Sequence, residues 1–305
     1  MRSIVVLLGL CGTIVAAQVS AQEPAKKIRV LIIDGQNNHN WRATTPVLKK
    51  ALDDSGRFTV EVTSYLKKDK DGKEDKPGQV TTVPFPPDLG KYDVAVSNYN
   101  GQPWPVEFQK AFDEQIKSGK LGLVVFHAAN NSFTPWAEFN QMIGMGWRNS
   151  KFGDRLFLDA DGKLVREEKG KGPGAGETTM HPFQVTVRDA EHPVTKGMPR
   201  QWMHTADQLV HGLRGPAENV HVLATAYSEP KKGGTGKHEL MIWTVTYGKG
   251  RVFHTPMGHD VGSVRCLGFL TAMLRGTEWA ATGEVTLPIP AGFPSEDKTS
   301  SVPGK

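Results

Sequence analysis

The chain has 305 residues, 38% hydrophobic and 23% charged, which suits one large or two modest domains around a real core. Its formal charge is +5, but Lys and Arg mix with Asp and Glu in most segments, and the absence of a basic stripe interleaved with aromatics argues against nucleic acid. With two cysteines in all, one of them inside an N-terminal apolar run, a disulfide framework and a cysteine zinc site are excluded.

The first element is a processing signal. Arg2 gives a positive start, Ile4 to Ala17 an apolar core, and Val19-Ser20-Ala21 a small-residue cleavage site, so residues 1–21 are expected to be removed. The apolar core is too short to span a bilayer, no later segment could cross one, and export to the periplasm or beyond is predicted. Next, Ile28 to Ile33 reads as a strand buried on both faces, ending in the polar cluster Asp34-Gly35-Gln36-Asn37-Asn38-His39-Asn40-Trp41, which makes sense as a ligand loop. Thr44 or Thr45 should cap a helix with Pro46 in its first turn, and Phe58 to Thr63 alternates as a second strand. Lys67 to Lys76 is a solvated charge run. Tyr92 to Ser97 is a third strand ending in Asn98-Tyr99-Asn100-Gly101, and Pro105 opens a helix stopped by Gly119. Leu121 to Phe126 is the most strand-like run, ending in His127-Ala128-Ala129-Asn130-Asn131, with a helix over 136–143. This strand, loop, helix alternation predicts a parallel sheet with helices on both faces.

From Gly144 the pattern loosens into a short hairpin within Phe152 to Val165 and a Gly-rich loop over 170–176, which lacks the setting of a phosphate loop. Strands follow at Pro182 to Arg188 and Val220 to Tyr227. Leu240 to Val245 and Arg251 to His254 flank the turn Tyr247-Gly248-Lys249-Gly250 and read as an antiparallel hairpin. Thr255-Pro256-Met257-Gly258 then delivers His259 and Asp260, with Asp260 placed to cap a last helix that runs through Val264, Leu267, Leu270 and Leu274. Cys266 falls inside that helix as a buried, inert thiol, and residues 288–305 are expected to be disordered.

His39, His127 and His259 each follow an apolar strand. If those strands are parallel, one edge gathers all three imidazoles, rimmed by Asn37, Asn98, Asn100 and Asn130. Two chemistries suit such a crevice. The imidazoles could act as general acid and base, oriented by Asp34, Asp207 or Asp260. Alternatively His39, His204 and His259 could bind a divalent metal with an open position for substrate. Amides together with Trp41, Trp104 or Trp136 would suit a polyol.

Read in order, several pieces resemble the ThuA-like (trehalose utilisation) family. They are the Asp34 to Trp41 loop, Phe126-His127-Ala128-Ala129, His192 to Gly197, the Asp207 region, Gly248 to Phe253, Gly258-His259-Asp260 and Leu274 to Ala280. The resemblance covers roughly residues 28–281. It implies one α/β domain over 22–287, with a doubly wound, mostly parallel sheet of the flavodoxin or class I glutamine amidotransferase type. It also implies action on a sugar or 3-keto sugar, with His127 as base and His259 polarising a carbonyl, alone or through a metal. His204, Asp207 and His254 join the expected substrate-binding residues. The sequence departs from the family where Gln208 and Val210 replace a carboxylate and a phenol, and where His254 stands in place of Tyr. With His127 where related amidotransferases carry a Cys nucleophile, thiol-dependent glutamine hydrolysis is ruled out. The alternative reading is a non-catalytic carbohydrate-binding or envelope interaction protein on the same fold.

Overall fold

A computed structural model describes residues 26–66, 68 and 75–304. The expected leader over 1–21 and most of the charge run at 67–76 lie outside the described residues. In chain order the elements are β1 (Ile28–Gly35), α1 (Trp41–Asp54), β2 (Phe58–Tyr65), β3 (Val94–Ser97), α2 (Val106–Lys117), β4 (Gly122–Phe126), α3 (Ala137–Ile143), β5 (Arg155–Leu158) and β6 (Leu164–Glu167). They continue with β7 (Gly176–Glu177), β8 (His181–Val187), β9 (Gln201–Asp207), β10 (Val210–His211), β11 (Val220–Tyr227), β12 (His238–Tyr247), β13 (Gly250–Thr255), α4 (Val261–Val264) and α5 (Leu267–Thr282).

The main sheet has eleven strands and runs β2-β1-β3-β4-β13-β12-β11-β8-β9, with β5 on β12 and β6 on β5. From β2 to β13 every pairing is parallel, and from β12 onward every pairing is antiparallel. The sheet is therefore mixed, and the parallel arrangement expected for most of it holds in the half where strands alternate with helices. The expected hairpin is β12 and β13, paired Trp243 to His254 through Tyr247 to Gly250.

The apolar runs are continuous because both faces of the parallel half are covered. Val30 and Ile32 point with Val96 and Val124 toward Leu48 and Leu52 of α1 and Phe269 and Met273 of α5. The intervening Leu31, Ile33, Leu123 and Val125 face Phe108, Phe112 and Ile116 of α2 and Phe139 and Ile143 of α3. Each such side chain contributes about 1.5–3 kcal/mol when fully buried, which fixes strand order and register. Ile33 lies level with Ser97, Ser97 with Val125, and Thr255 with Phe126, so the C-terminal ends of β1, β3, β4 and β13 share one edge.

Three local expectations are corrected. α1 starts at Trp41, with Asn40 at its N-cap, so Thr44, Thr45 and Pro46 lie within it. The two threonine hydroxyls instead receive the Asn98 side-chain amide at 3.1 and 2.9 Å. The last helix is two helices: Asp260 caps α4 in a reciprocal box with Ser263, and Cys266 is the N-cap of α5 rather than an interior residue. The expected disordered tail instead packs back on the domain over residues 288–304. Met203 N donates to Ser295 O, Leu267 N to Ser300 O and Val302 N to Arg265 O, while Ile289, Phe293 and Val302 pack on the core.

Candidate functional site

The shared edge brings His39, His127 and His259 together. A ring nitrogen from each lies within 4.8 Å of the others, and the ring centroids are 4.6, 4.6 and 5.2 Å apart. Each histidine is set by its own loop. Asn37 Oδ1 accepts the His39 N–H at 2.9 Å, while the Asn37 amide donates to the Asn98 carbonyl at 3.2 Å. His127 follows β4 directly with φ of 41°, a left-handed backbone that a non-glycine residue adopts at a cost and that concentrates at functional sites. Gly258 (φ 103°) makes the turn before His259, and a Cβ there would meet Phe269 at 2.9 Å.

The tautomer of His127 follows from its partner. Its Nδ1 is 2.9 Å from the Pro256 carbonyl, which can only accept, so Nδ1 carries the proton and Nε2 the lone pair. That Nε2 faces His39 Nε2 at 3.1 Å. Burial, reinforced by His127 and His259, pushes the His39 pKa down to about 4. Burial also lowers that of His127, against the opposing pull of Asp207. Both rings are neutral at pH 7. Neutral imidazoles sharing a few ångströms are poor proton reservoirs and good ligands. Nδ1 of His39 and Nδ1 of His259 find no hydrogen-bond partner among the described residues. An all-nitrogen set with no carboxylate fits a borderline-soft divalent ion such as zinc better than magnesium or calcium, which prefer oxygen.

The cluster lies on a cavity of about 280 Å³ whose walls include Asn38, Asn100, Asn130, Trp147, Glu177 and Gln208. A second, more open cleft of about 420 Å³ shares His39 and His259 and runs past Asp260. Of the residues expected from sequence, the three edge histidines, Asn100 and Asn130 line the first cavity and Asp260 the second. Asn37 and Asn98 brace the His39 loop from behind. The others lie elsewhere. Asp34 is fully buried against Ser64 Oγ at 2.5 Å. Trp41 is buried under Arg42, 4.2 Å from its ring centroid. His254 is fully buried, its ring centroid 3.9 Å from that of Trp243 in a tilted contact, with its pKa pushed down to about 3 by burial.

His204 corrects the expected metal set: it is sealed in the core on Asp207 at 2.9 Å, and His127 takes its place in the cluster. Trp104 is buried in an aromatic cluster, and Trp136 borders a separate groove. Sequence reasoning missed Trp147, Glu177 and Gln208. Gln208 was within reach, as the neighbour of Asp207. Glu177 was not, because it reaches the wall through the two-residue pairing of β7 with β10, opposite Val210. Cys266 is buried beside His204 and is not among the residues that line the cavity with His127.

Comparison with known proteins agrees with this fold. The family model described as "Trehalose utilisation" (ThuA) matches residues 29–280. A crystal structure of a ThuA-like protein from Parabacteroides merdae is 40% identical, with a TM-score of 0.82, over 91% of this chain and 98% of that one. A second ThuA-like protein, from Bacteroides uniformis, shares the fold at 18% identity and a TM-score of 0.56, over 87% of this chain and 98% of that one. No curated protein matches the chain. With the family model spanning both loop histidines and the central elbow, the chain belongs to the ThuA (trehalose utilisation) family.

Proposed function

We propose that this protein is an exported carbohydrate-processing enzyme whose centre is the His39, His127 and His259 cluster, acting with a divalent cation on a sugar or 3-keto sugar. The observation that carries the reading is the meeting of three imidazoles at one wall of a polar cavity. A cavity of about 280 Å³ suits a ligand of about one sugar ring, held by the amides of Asn100, Asn130 and Gln208. Family membership supports a carbohydrate substrate.

A bound divalent ion would supply Lewis acidity toward a carbonyl or hydroxyl oxygen of the sugar. The chain's own residues do the rest. A 3-keto group acidifies the adjacent C–H, and removal of that proton leads to isomerisation or elimination. With the imidazole lone pairs committed to the cation, Glu177 is the carboxylate among the described lining residues that can accept the proton. One contact favours a second, metal-free reading. The 3.1 Å approach of His127 Nε2 to His39 Nε2 is also a hydrogen bond, in which the His39 N–H donates to the His127 lone pair; a substrate that displaces His39 would leave that lone pair free to serve as the base.

The test is to incubate the protein, from residue 22 onward, with ordinary and 3-keto disaccharides before and after chelation, following products by mass spectrometry. Turnover that is lost on chelation and restored by zinc is expected, and His127→Ala should lower it about a hundredfold or more. Turnover indifferent to chelator selects the metal-free reading. Binding without turnover, with affinity little changed by His127→Ala, selects a non-catalytic carbohydrate-binding protein.

A further inference from the structure

His204 and Asp207 were expected to touch substrate, but neither has exposed surface. The hydrogen bonds of Asp207 say what it does instead. Oδ2 accepts from His204 Nε2 at 2.9 Å and from the Gly258 N–H at 2.8 Å. Oδ1 accepts from the Gln208 N–H at 2.8 Å and from the His259 N–H at 3.3 Å. A carboxylate offers about four acceptor positions, and all are taken from within the chain, so none is left for a ligand. Two of the donors, Gln208 and His259, belong to residues whose side chains line the cavity. The other backbone donor is Gly258, the left-handed pivot of the turn.

We infer that Asp207, gripped from below by His204, is the positioning residue of the three-histidine centre. It pins the turn that aims His259 and sets a buried negative charge under a cluster that has none of its own. This rests on reading the cluster as a cation site. The carboxylate is one hydrogen bond from the backbone of His259, and a divalent ion among the three rings would feel its field. His204 is held in turn. Burial alone would make it give up its proton, but Asp207 and the Cys266 thiol outweigh that and lift its pKa to about 9, so it donates to the carboxylate at neutral pH. The layer runs from the N-cap of α5, through the end of β9, to the loop after β13.

The experiment measures Zn²⁺ affinity by titration calorimetry on metal-stripped chain from residue 22 onward, and amide hydrogen exchange across Met257 to Asp260. Asp207→Asn, which keeps the shape and loses the charge, should weaken Zn²⁺ binding about 10–100-fold and speed exchange at Gly258 and His259. His204→Gln keeps a donor for Asp207 and should stay within about threefold of wild type, whereas His204→Leu should behave like Asp207→Asn. A merely structural role would lower the melting temperature of both His204 variants and leave no split in affinity. If Asp207→Asn does not fold, the His204 pair decides. Unchanged affinity and exchange in Asp207→Asn or His204→Leu would overturn the inference. Failure of the wild type to take up Zn²⁺ would instead remove the cation reading, and exchange at Gly258 and His259 would still decide whether Asp207 holds the turn.

Discussion

Asp34 carries a charge into the core at neutral pH. Burial raises its pKa from 3.8 to about 6, although Ser64, Thr45 and Arg42 act the other way. A folded-state pKa above the unfolded one means that the associated stability is complete below pH 3.8 and is lost as pH rises through about 6. Above that window the ionised group costs about 3 kcal/mol. Asp34→Asn should therefore stabilise the protein by up to about 3 kcal/mol at pH 7.5 and by nothing at pH 3, as read by urea unfolding at both values. Equal stability of variant and wild type at pH 7.5 would show that the ion is not a burden. The example bears on what single residues reveal in sequence. Asp34, His39 and Trp41 stand in one polar cluster after one strand, and only the structure separates the histidine that faces the cavity from a carboxylate and an indole that face inward. Composition of a loop shows that polar groups gather there. Which of them point outward depends on the register of the helix that follows, and α1 begins earlier than its threonines suggested.

Whole elements were more legible than side-chain directions. β1, β3 and β4 are unbroken apolar runs because both faces are covered, and the β12 and β13 hairpin announces itself through its turn. The tail was not legible: its anchors Ile289, Phe293 and Val302 are spaced among Pro, Ser, Gly and Lys, with no period to betray a packed segment. Arg275 of α5 fixes its approach, donating to the carbonyls of Val194 at 2.7 Å and Lys196 at 2.8 Å, and also to that of Leu287. Phe293 reaches Trp202 at 5.6 Å between ring centroids. Ending the chain after Leu287 should cost about 2–4 kcal/mol, since each anchor gives up part of the 1.5–3 kcal/mol of a buried apolar side chain. A denaturant midpoint unmoved by that truncation would show the contacts to be passive. The same contacts explain two stretches that carried the family resemblance. His192 to Gly197 and Leu274 to Ala280 are partners in the framework, with Glu278 buried against Arg57 at 2.7 Å and capping the backbone of Thr286 and Leu287.

At the scale of the molecule, the expectation of parallel strands whose ends meet describes the half that holds the site, while in the antiparallel half most strands were legible but β9 and the short β7 and β10 pair went unread, because irregular loops rather than helices separate them. Among the described residues no helix is long and apolar enough to cross a membrane. Export is testable on the intact chain: protein recovered from the envelope or medium should begin at Gln22, by terminal sequencing. A product found in the cytosol with Met1 or Arg2 at its start would take export out of the proposal. The seam between the halves has a consequence for assembly. β13 joins β4 on one side and β12 on the other, and the third histidine hangs from its end. A nascent chain broken off before residue 259 possesses two of the three imidazoles and cannot close the triangle, however well its early strands have formed. If the cluster takes the proposed ion, loading would wait until the segment carrying His259 has folded against the sheet, and a chain exported unfolded would draw that ion from the compartment it arrives in.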